Sequence, residues 1–347
     1  MTTPQPAATA AATPPAPSPP SPPAPIPPGA PAARWARQQE RSNRFVLRVG
    51  RAIAVGLGRR VARLVLHPIA LYYLIASSDV RRHSRRYLGR ALGRPARWTD
   101  VYRHLHTFVA TVLDRIYLLR GQFDEFRYRA SGIETITGPF DRGEGVLTVG
   151  AHLGSFEALR MIGQDKGLEI AVIMYEGNAR MINETLAAIA PDARLVTIPL
   201  GRIDAMLTLR RWLDGGGVAG MLADRTLAAG DAQRSKTVPV SFLGTPALFP
   251  DGPFRLAAML RRKVVFMTAL YRGGRDYDMR FADLADFSQL AGASGAVRDA
   301  AVREAVGRYV ETLEALCREA PYNWFNFFDY WAEDDARDPA APPTAPR

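Results

Sequence analysis

Gly145-Val-Leu-Thr-Val-Gly-Ala-His-Leu-Gly-Ser-Phe-Glu157 decides how the chain is read. Its first half is apolar and β-branched, the signature of a buried strand. Ala158-Leu-Arg-Met-Ile162 follows with helical character, and Ser155 is placed to cap it. His152 therefore falls on a strand-to-helix turn and Glu157 in the first helical turn. On one regular helix, residues five apart point roughly 140° away from each other. With His152 on the loop before the helix, the Glu157 carboxylate can reach back to one ring nitrogen. The other nitrogen is then free to take a proton from a hydroxyl. Gly154 leaves out a Cβ where a substrate would approach, and the amides at the helix start are expected to hold an oxyanion. The alternative is a loop histidine beside an ordinary first-turn glutamate, because this spacing arises often by chance.

The segments on either side carry the same alternation of strand and helix. Strand character runs through 126–136, 169–175, 194–198, 215–223, 238–242 and 264–271, with a turn over 138–145. Helical spacing runs through 178–189, 204–213 and 252–260. This order implies an α/β fold: a mixed, mostly parallel sheet flanked by helices, with its chemistry at the C-terminal ends of the strands. His152 and the pair Asp224-Arg225 both fall at such ends.

Charge is unevenly spread. The chain of 347 residues has a formal net charge of +11, yet residues 34–103 alone hold 17 arginines against three acids, Glu40, Asp79 and Asp100. Such an asymmetry points to an anionic partner. Residues 1–33 are uncharged and contain 13 of the 27 prolines; they are expected to be a disordered tail, as are the polar residues 332–347. Residues 34–125 are expected to form a basic helical region, and 126–331 the α/β domain. The apolar run 64–76 is interrupted by His67-Pro68 and falls short of the ~20 residues a spanning helix needs. An Arg-rich amphipathic helix pair lying in a membrane interface fits it. A helical hairpin packed on the body, with arginine as its wet face, is the alternative. His104 and His106 read as ordinary helix residues. Cys317 is the single cysteine, so no internal disulfide or cysteine metal cluster is possible.

The His-x4-Glu block resembles that of the lipid A late-acyltransferase family, the lauroyl/myristoyl acyltransferases, within a wider superfamily that includes the glycerolipid acyltransferases. Further segments carry the resemblance over roughly 44–331. Met221-Leu-Ala-Asp-Arg225 is similar to the segment in which a strand delivers an acid into the site. The stretch from Val238 to Ala257 is similar to the next segment, and Phe249-Pro-Asp-Gly252 resembles the Phe-Pro-Glu-Gly block of glycerolipid enzymes. Residues 322–331, with seven aromatics in ten positions, occupy the place of a Trp-rich segment, either packing over the core or facing lipid. Glu176 stands where an arginine is usual, so the acceptor need not be a standard lipid A precursor.

The resemblance implies an O-acyltransferase at the cytoplasmic face of a bacterial inner membrane, taking its acyl group from acyl carrier protein or coenzyme A. In this reading His152 is the base and Glu157 its partner. Gly154, Ser155, Asp224, Arg225, Pro250 and Gly252 bind substrate, with Asp224 also able to orient the dyad. Neither a metal nor a cofactor is expected: no His-Glu-x-x-His, phosphate-loop or dinucleotide pattern occurs. No enzyme nucleophile is needed, since no Gly-x-Ser-x-Gly elbow is present. Partners are then a lipid or glycolipid acceptor and an anionic membrane surface. Nucleic acid is not among them, because phosphate tracking does not need long apolar faces. A non-catalytic basic membrane-surface or nucleic-acid-binding protein is the rival.

Overall fold

Every residue of strand β2 (Val146–Gly150) is buried. β2 lies between β5 (Val218–Leu222) and β8 (Lys263–Gly273), parallel to both. A strand paired on both edges and covered on both faces has no wet side, so its sequence runs apolar without alternation. The computed structural model describes residues 58–175, 196–200, 203–225 and 236–331. The tails expected at 1–33 and 332–347, the helix expected at 178–189 and Glu176 lie outside the described residues.

Seven strands form one sheet in the order β1, β9, β8, β2, β5, β3, β4. Here β1 is Arg127–Ser131, β3 Ile170–Tyr175, β4 Thr197–Leu200 and β9 Asp276–Asp286. Strands β8, β2, β5, β3 and β4 are mutually parallel, whereas β9 runs antiparallel to β8 and carries β1 parallel to itself. The sheet is thus mixed and mostly parallel, as expected. A separate hairpin joins β6 (Thr237–Phe242) to β7 (Thr245–Pro250). Its two-residue turn, Leu243-Gly244, has φ of 53° and 81°. Two positive φ values suit the right-handed twist of such a hairpin.

The strand expected over 126–136 ends at Ser131. Gly132 then turns at φ +75°, where a Cβ would lie 2.1 Å from the Phe281 carbonyl oxygen. Residues expected to be turn join a helix, Glu134–Asp141, because Ile136 and Pro139 bury one face at a spacing of three. Strands β7 and β9 were not foreseen. The long C-terminal helix Gly295–Glu319 carries Cys317 on its buried side.

Three N-terminal helices precede the sheet in the chain: α1, described over Gly58–Ala76, α2 (Ser78–Leu92) and α3 (Trp98–Leu119). Helix α1 runs through Pro68 without a break, and α1 and α2 meet at 97°. No single helix among the described residues is long and apolar enough to cross a membrane; the bent pair passes by length and composition only. One face of α1 packs inward. Arg59 grips Asp114 through Nε at 2.9 Å and Nη2 at 3.0 Å, and Tyr277 donates to the same carboxylate. Arg63 donates to the Tyr271 hydroxyl at 2.6 Å. Ala62, Leu66 and Ala70 fill the rest of that face. Part of the arginine excess is therefore internal mortar, whereas the packed-hairpin alternative placed arginine on the wet face. The outer face remains apolar and exposed.

Candidate active site

Strands β2 and β5 are in register, with Gly150 opposite Leu222. The Ala223 amide extends the pairing by donating to the Gly150 carbonyl. Two residues past each strand end, His152 and Asp224 consequently stand side by side. Asp224 Oδ1 lies 2.8 Å from His152 Nδ1, and Oδ2 accepts the His152 backbone N–H at 3.0 Å. A carboxylate only accepts, so Nδ1 carries the ring proton and Nε2 presents a lone pair. No hydrogen bond reaches Nε2 among the described residues, and the imidazole side chain is 34% exposed. The arrangement is that of a general base with an oriented tautomer.

Asp224 is 1% exposed. Burial alone would push its carboxyl group upward. The charge of His152, the hydrogen bonds it donates and the nearby Arg225 outweigh that and hold it well below the usual carboxylate range. The indole Nε1–H of Trp324 also donates to Oδ2, at 3.1 Å, and the Tyr330 hydroxyl donates to the Asp224 carbonyl at 2.9 Å.

Glu157 sits elsewhere. Its Oε1 pairs with Arg115 Nε of α3 at 2.7 Å, and its Oε2 accepts from Ser155 Oγ at 3.3 Å. The carboxylate on the imidazole is that of Asp224, seventy-two positions away in the chain, and no hydrogen bond joins Glu157 to His152. The cause is the turn. Gly154 adopts φ +71°, after which Glu157 opens a short 3-10 helix that faces α3. Phe156 holds the N-cap position of this helix, and the Ser155 hydroxyl just before it accepts the Ala158 N–H at 3.3 Å.

Two expectations for the turn need correcting. A Cβ on Gly154 would lie 2.0 Å from the Ala269 carbonyl oxygen. The glycine therefore admits strand β8, rather than a substrate. The Gly154 and Ser155 amides, expected to face an oxyanion, donate to the Asn323 and Ala269 carbonyls, each at 2.9 Å.

Arg225 is held by the other side of the site. Its Nη2 donates to the Phe325 carbonyl at 2.9 Å, and the guanidinium lies 5.1 Å over the Phe328 ring. Burial lowers its pKa, against the pull of Asp224 and Tyr330. Pro250 closes β7 and Gly252 opens the helix Gly252–Leu260. Between them Asp251 turns inward to Arg255 Nε at 2.6 Å, and Arg255 reaches on to Asp299. No hydrogen bond joins this corner to His152 or Asp224 among the described residues.

Sequence reasoning did not single out Trp324, Tyr330, Asn323 or Arg115. The aromatic density of 322–331 was the available signal. That stretch folds as a strap over the turn: Leu153 bridges Trp324, and the Phe325 amide donates to the His152 carbonyl at 2.8 Å. Trp324, Phe325 and Trp331 are buried and only Phe328 is exposed, so packing dominates. Among the described residues no three His, Cys, Asp or Glu side chains are grouped to hold a metal ion.

His152 and Asp224 thus meet at the C-terminal ends of two adjacent parallel strands, with Nε2 open. No curated protein matches the chain. The family model for bacterial lipid A biosynthesis acyltransferases matches residues 44–332. The chain is an acyltransferase and belongs to the bacterial lipid A biosynthesis acyltransferase family.

Proposed function

We propose that the chain moves a fatty acyl group from an acyl thioester, carried by acyl carrier protein or coenzyme A, to a hydroxyl of a lipid or glycolipid acceptor. His152 Nε2 takes the proton of the acceptor hydroxyl as its oxygen attacks the thioester carbonyl. Asp224 keeps the proton on Nδ1 and stabilises the imidazolium that forms. Collapse of the tetrahedral intermediate breaks the carbon–sulfur bond, and the imidazolium returns the proton to the departing thiolate. No acyl-enzyme is formed. Arg225, with guanidinium donors beyond the one spent on Phe325, is assigned to a substrate oxygen or phosphate. Glu157 is assigned a supporting role, tying the turn to α3 through Arg115.

The observation that carries this reading is the His152–Asp224 couple at the ends of two adjacent parallel strands, with Nε2 open. The test is transfer of a labelled acyl chain, from each thioester in turn, to extracted membrane lipids. His152→Ala should abolish transfer by either donor while leaving the fold intact. A variant with wild-type turnover rejects the mechanism.

The place of action is assigned to an anionic membrane surface, the cytoplasmic face of the inner membrane. Val61, Leu64, Leu71, Tyr72 and Ile75 are exposed on the outer side of α1, separated by one, three or seven positions, Ile75 being 69% exposed. Arg60 on α1 and Arg82 and Arg85 on α2 are exposed. An apolar stripe edged by arginine suits an interface of acyl chains and anionic headgroups.

A further inference from the structure

We propose that Trp324 is a positioning residue of the base, and that through it the strap of residues 322–331 belongs to the catalytic apparatus. The inference rests on the acyl-transfer reading for its kinetic consequences, but not for its geometry.

An aspartate carboxylate can rotate about its last bond and offer either oxygen to a neighbour. Here that freedom is removed. Oδ2 takes two N–H donors, the His152 amide at 3.0 Å and the Trp324 indole at 3.1 Å. Oδ1 is thereby left for the imidazole Nδ1 at 2.8 Å. The indole comes from the far end of the chain, a hundred positions beyond Asp224.

Trp324 is itself fixed on every side. It is wholly buried, with ring contacts to Tyr87 at 4.9 Å, Tyr330 at 5.0 Å and Phe242 at 5.2 Å. Its carbonyl accepts from His104 Nε2 at 2.9 Å, and its backbone bridges Leu153. The preceding residue pins the strap to β8: Asn323 Oδ1 accepts the Tyr271 amide at 2.7 Å, and Nδ2 donates to the Tyr271 carbonyl at 3.2 Å. A ring needed only for bulk would not require its one polar atom to meet the carboxylate that holds the base.

A pH signature separates positioning from packing. Besides His152, the groups facing Asp224 are Arg225 next to it, Tyr309 and Cys317 from the long C-terminal helix, and Tyr330 from the strap. Burial pushes the two tyrosines and the cysteine upward, away from the range where histidine titrates. Arg225 is the same in every variant compared. Removing the indole donor leaves more of the Asp224 charge for the imidazolium, so His152 should hold its proton more tightly.

The experiment is Trp324→Phe in the full chain, which keeps an aromatic ring and deletes the donor. The expected result is a kcat lower by roughly tenfold or more with KM within about threefold. The acid limb of the rate profile should move up by roughly half to one pH unit. The His152 ring titration followed by NMR, which needs no substrate, should move the same way. An unmoved titration overturns the proposal, whatever happens to the rate. If Trp324→Phe fails to fold, the indole proton of Trp324 in 15N-labelled protein replaces it. That resonance should be protected from exchange and should shift on Asp224→Asn; free exchange or no shift overturns the proposal. A wild-type chain that transfers no acyl group, yet shows the NMR effects, would sink the functional reading and leave the positioning intact.

Discussion

Replacing Asp224 by Asn and Glu157 by Gln, side by side, asks which acid serves His152. Asp224 accepts three hydrogen bonds: Nδ1 at 2.8 Å, the His152 amide at 3.0 Å and the Trp324 indole at 3.1 Å. Asparagine offers one acceptor oxygen and one NH2 group. Its oxygen is best spent at the Oδ2 position, where two N–H donors converge. The NH2 group then faces Nδ1 and forces that nitrogen to accept, which moves the ring proton onto Nε2. The base is left in the wrong tautomer, a defect worth roughly three to four orders of magnitude in kcat where it has been measured in hydrolytic triads. Glu157→Gln, by contrast, keeps an oxygen for Arg115. What is lost is the charge in a pair whose arginine side chain is 45% exposed. Such pairs contribute at most about 1 kcal/mol, or less than roughly tenfold. Single-turnover acyl transfer, with circular dichroism to confirm folding, should therefore show Asp224→Asn nearly inactive and Glu157→Gln within tenfold of wild type. The reverse order would refute the assignment and restore Glu157 as the partner of the imidazole.

Three further outcomes follow from the same geometry. Gly154→Ala combines a φ of +71° with a Cβ 2.0 Å from the Ala269 carbonyl oxygen; it should cost more than about 3 kcal/mol by urea denaturation, and a variant of normal stability contradicts the packing given for the turn. His104 is fully buried between Ser84 Oγ and the Trp324 carbonyl, and burial lowers its pKa to about 4. The unfolded chain takes up this proton below about pH 6.5 while the folded chain resists until about 4, so stability falls as pH drops through that window, by roughly 3 kcal/mol at most. His104→Gln should flatten this part of the stability profile relative to wild type; parallel profiles would remove His104 as a source. Replacing Leu64, Tyr72 and Ile75 together by Ser should weaken sedimentation with phosphatidylglycerol vesicles by roughly a hundredfold or more and leave the melting curve unchanged; undiminished binding would remove α1 as the docking face.

The fold was legible where burial alone writes the sequence. Val146–Gly150 and the first four residues of Val218–Leu222 are apolar because both faces are covered, and the helix Gly252–Leu260 was read with its observed bounds. The hairpin strand Thr245–Pro250 was hidden by its two prolines, which pair only in an edge position, and by a turn that puts a buried leucine at positive φ where asparagine would signal it. Strand Asp276–Asp286 alternates buried and partly exposed residues and is rich in charge. It acquires its place from the antiparallel pairing with β8, a long-range fact that local propensity does not carry.

The site divides along the same line. The position of His152 on a strand-to-helix turn is local, and so is the hydrogen bond of Ser155 to the first helical turn; both could be derived from a dozen residues. The partner of the imidazole is not local. A carboxylate five residues away looks near on paper, yet one glycine at positive φ points it at α3. A carboxylate seventy-two residues away is brought within 2.8 Å by a strand register. The sequence did contain that register in coded form: two buried strands, each followed after one intervening residue by a polar side chain, His152 and Asp224. In a parallel sheet with its sites at the strand ends, equal offsets from neighbouring strands are a stronger guide to contact than a short spacing within one loop.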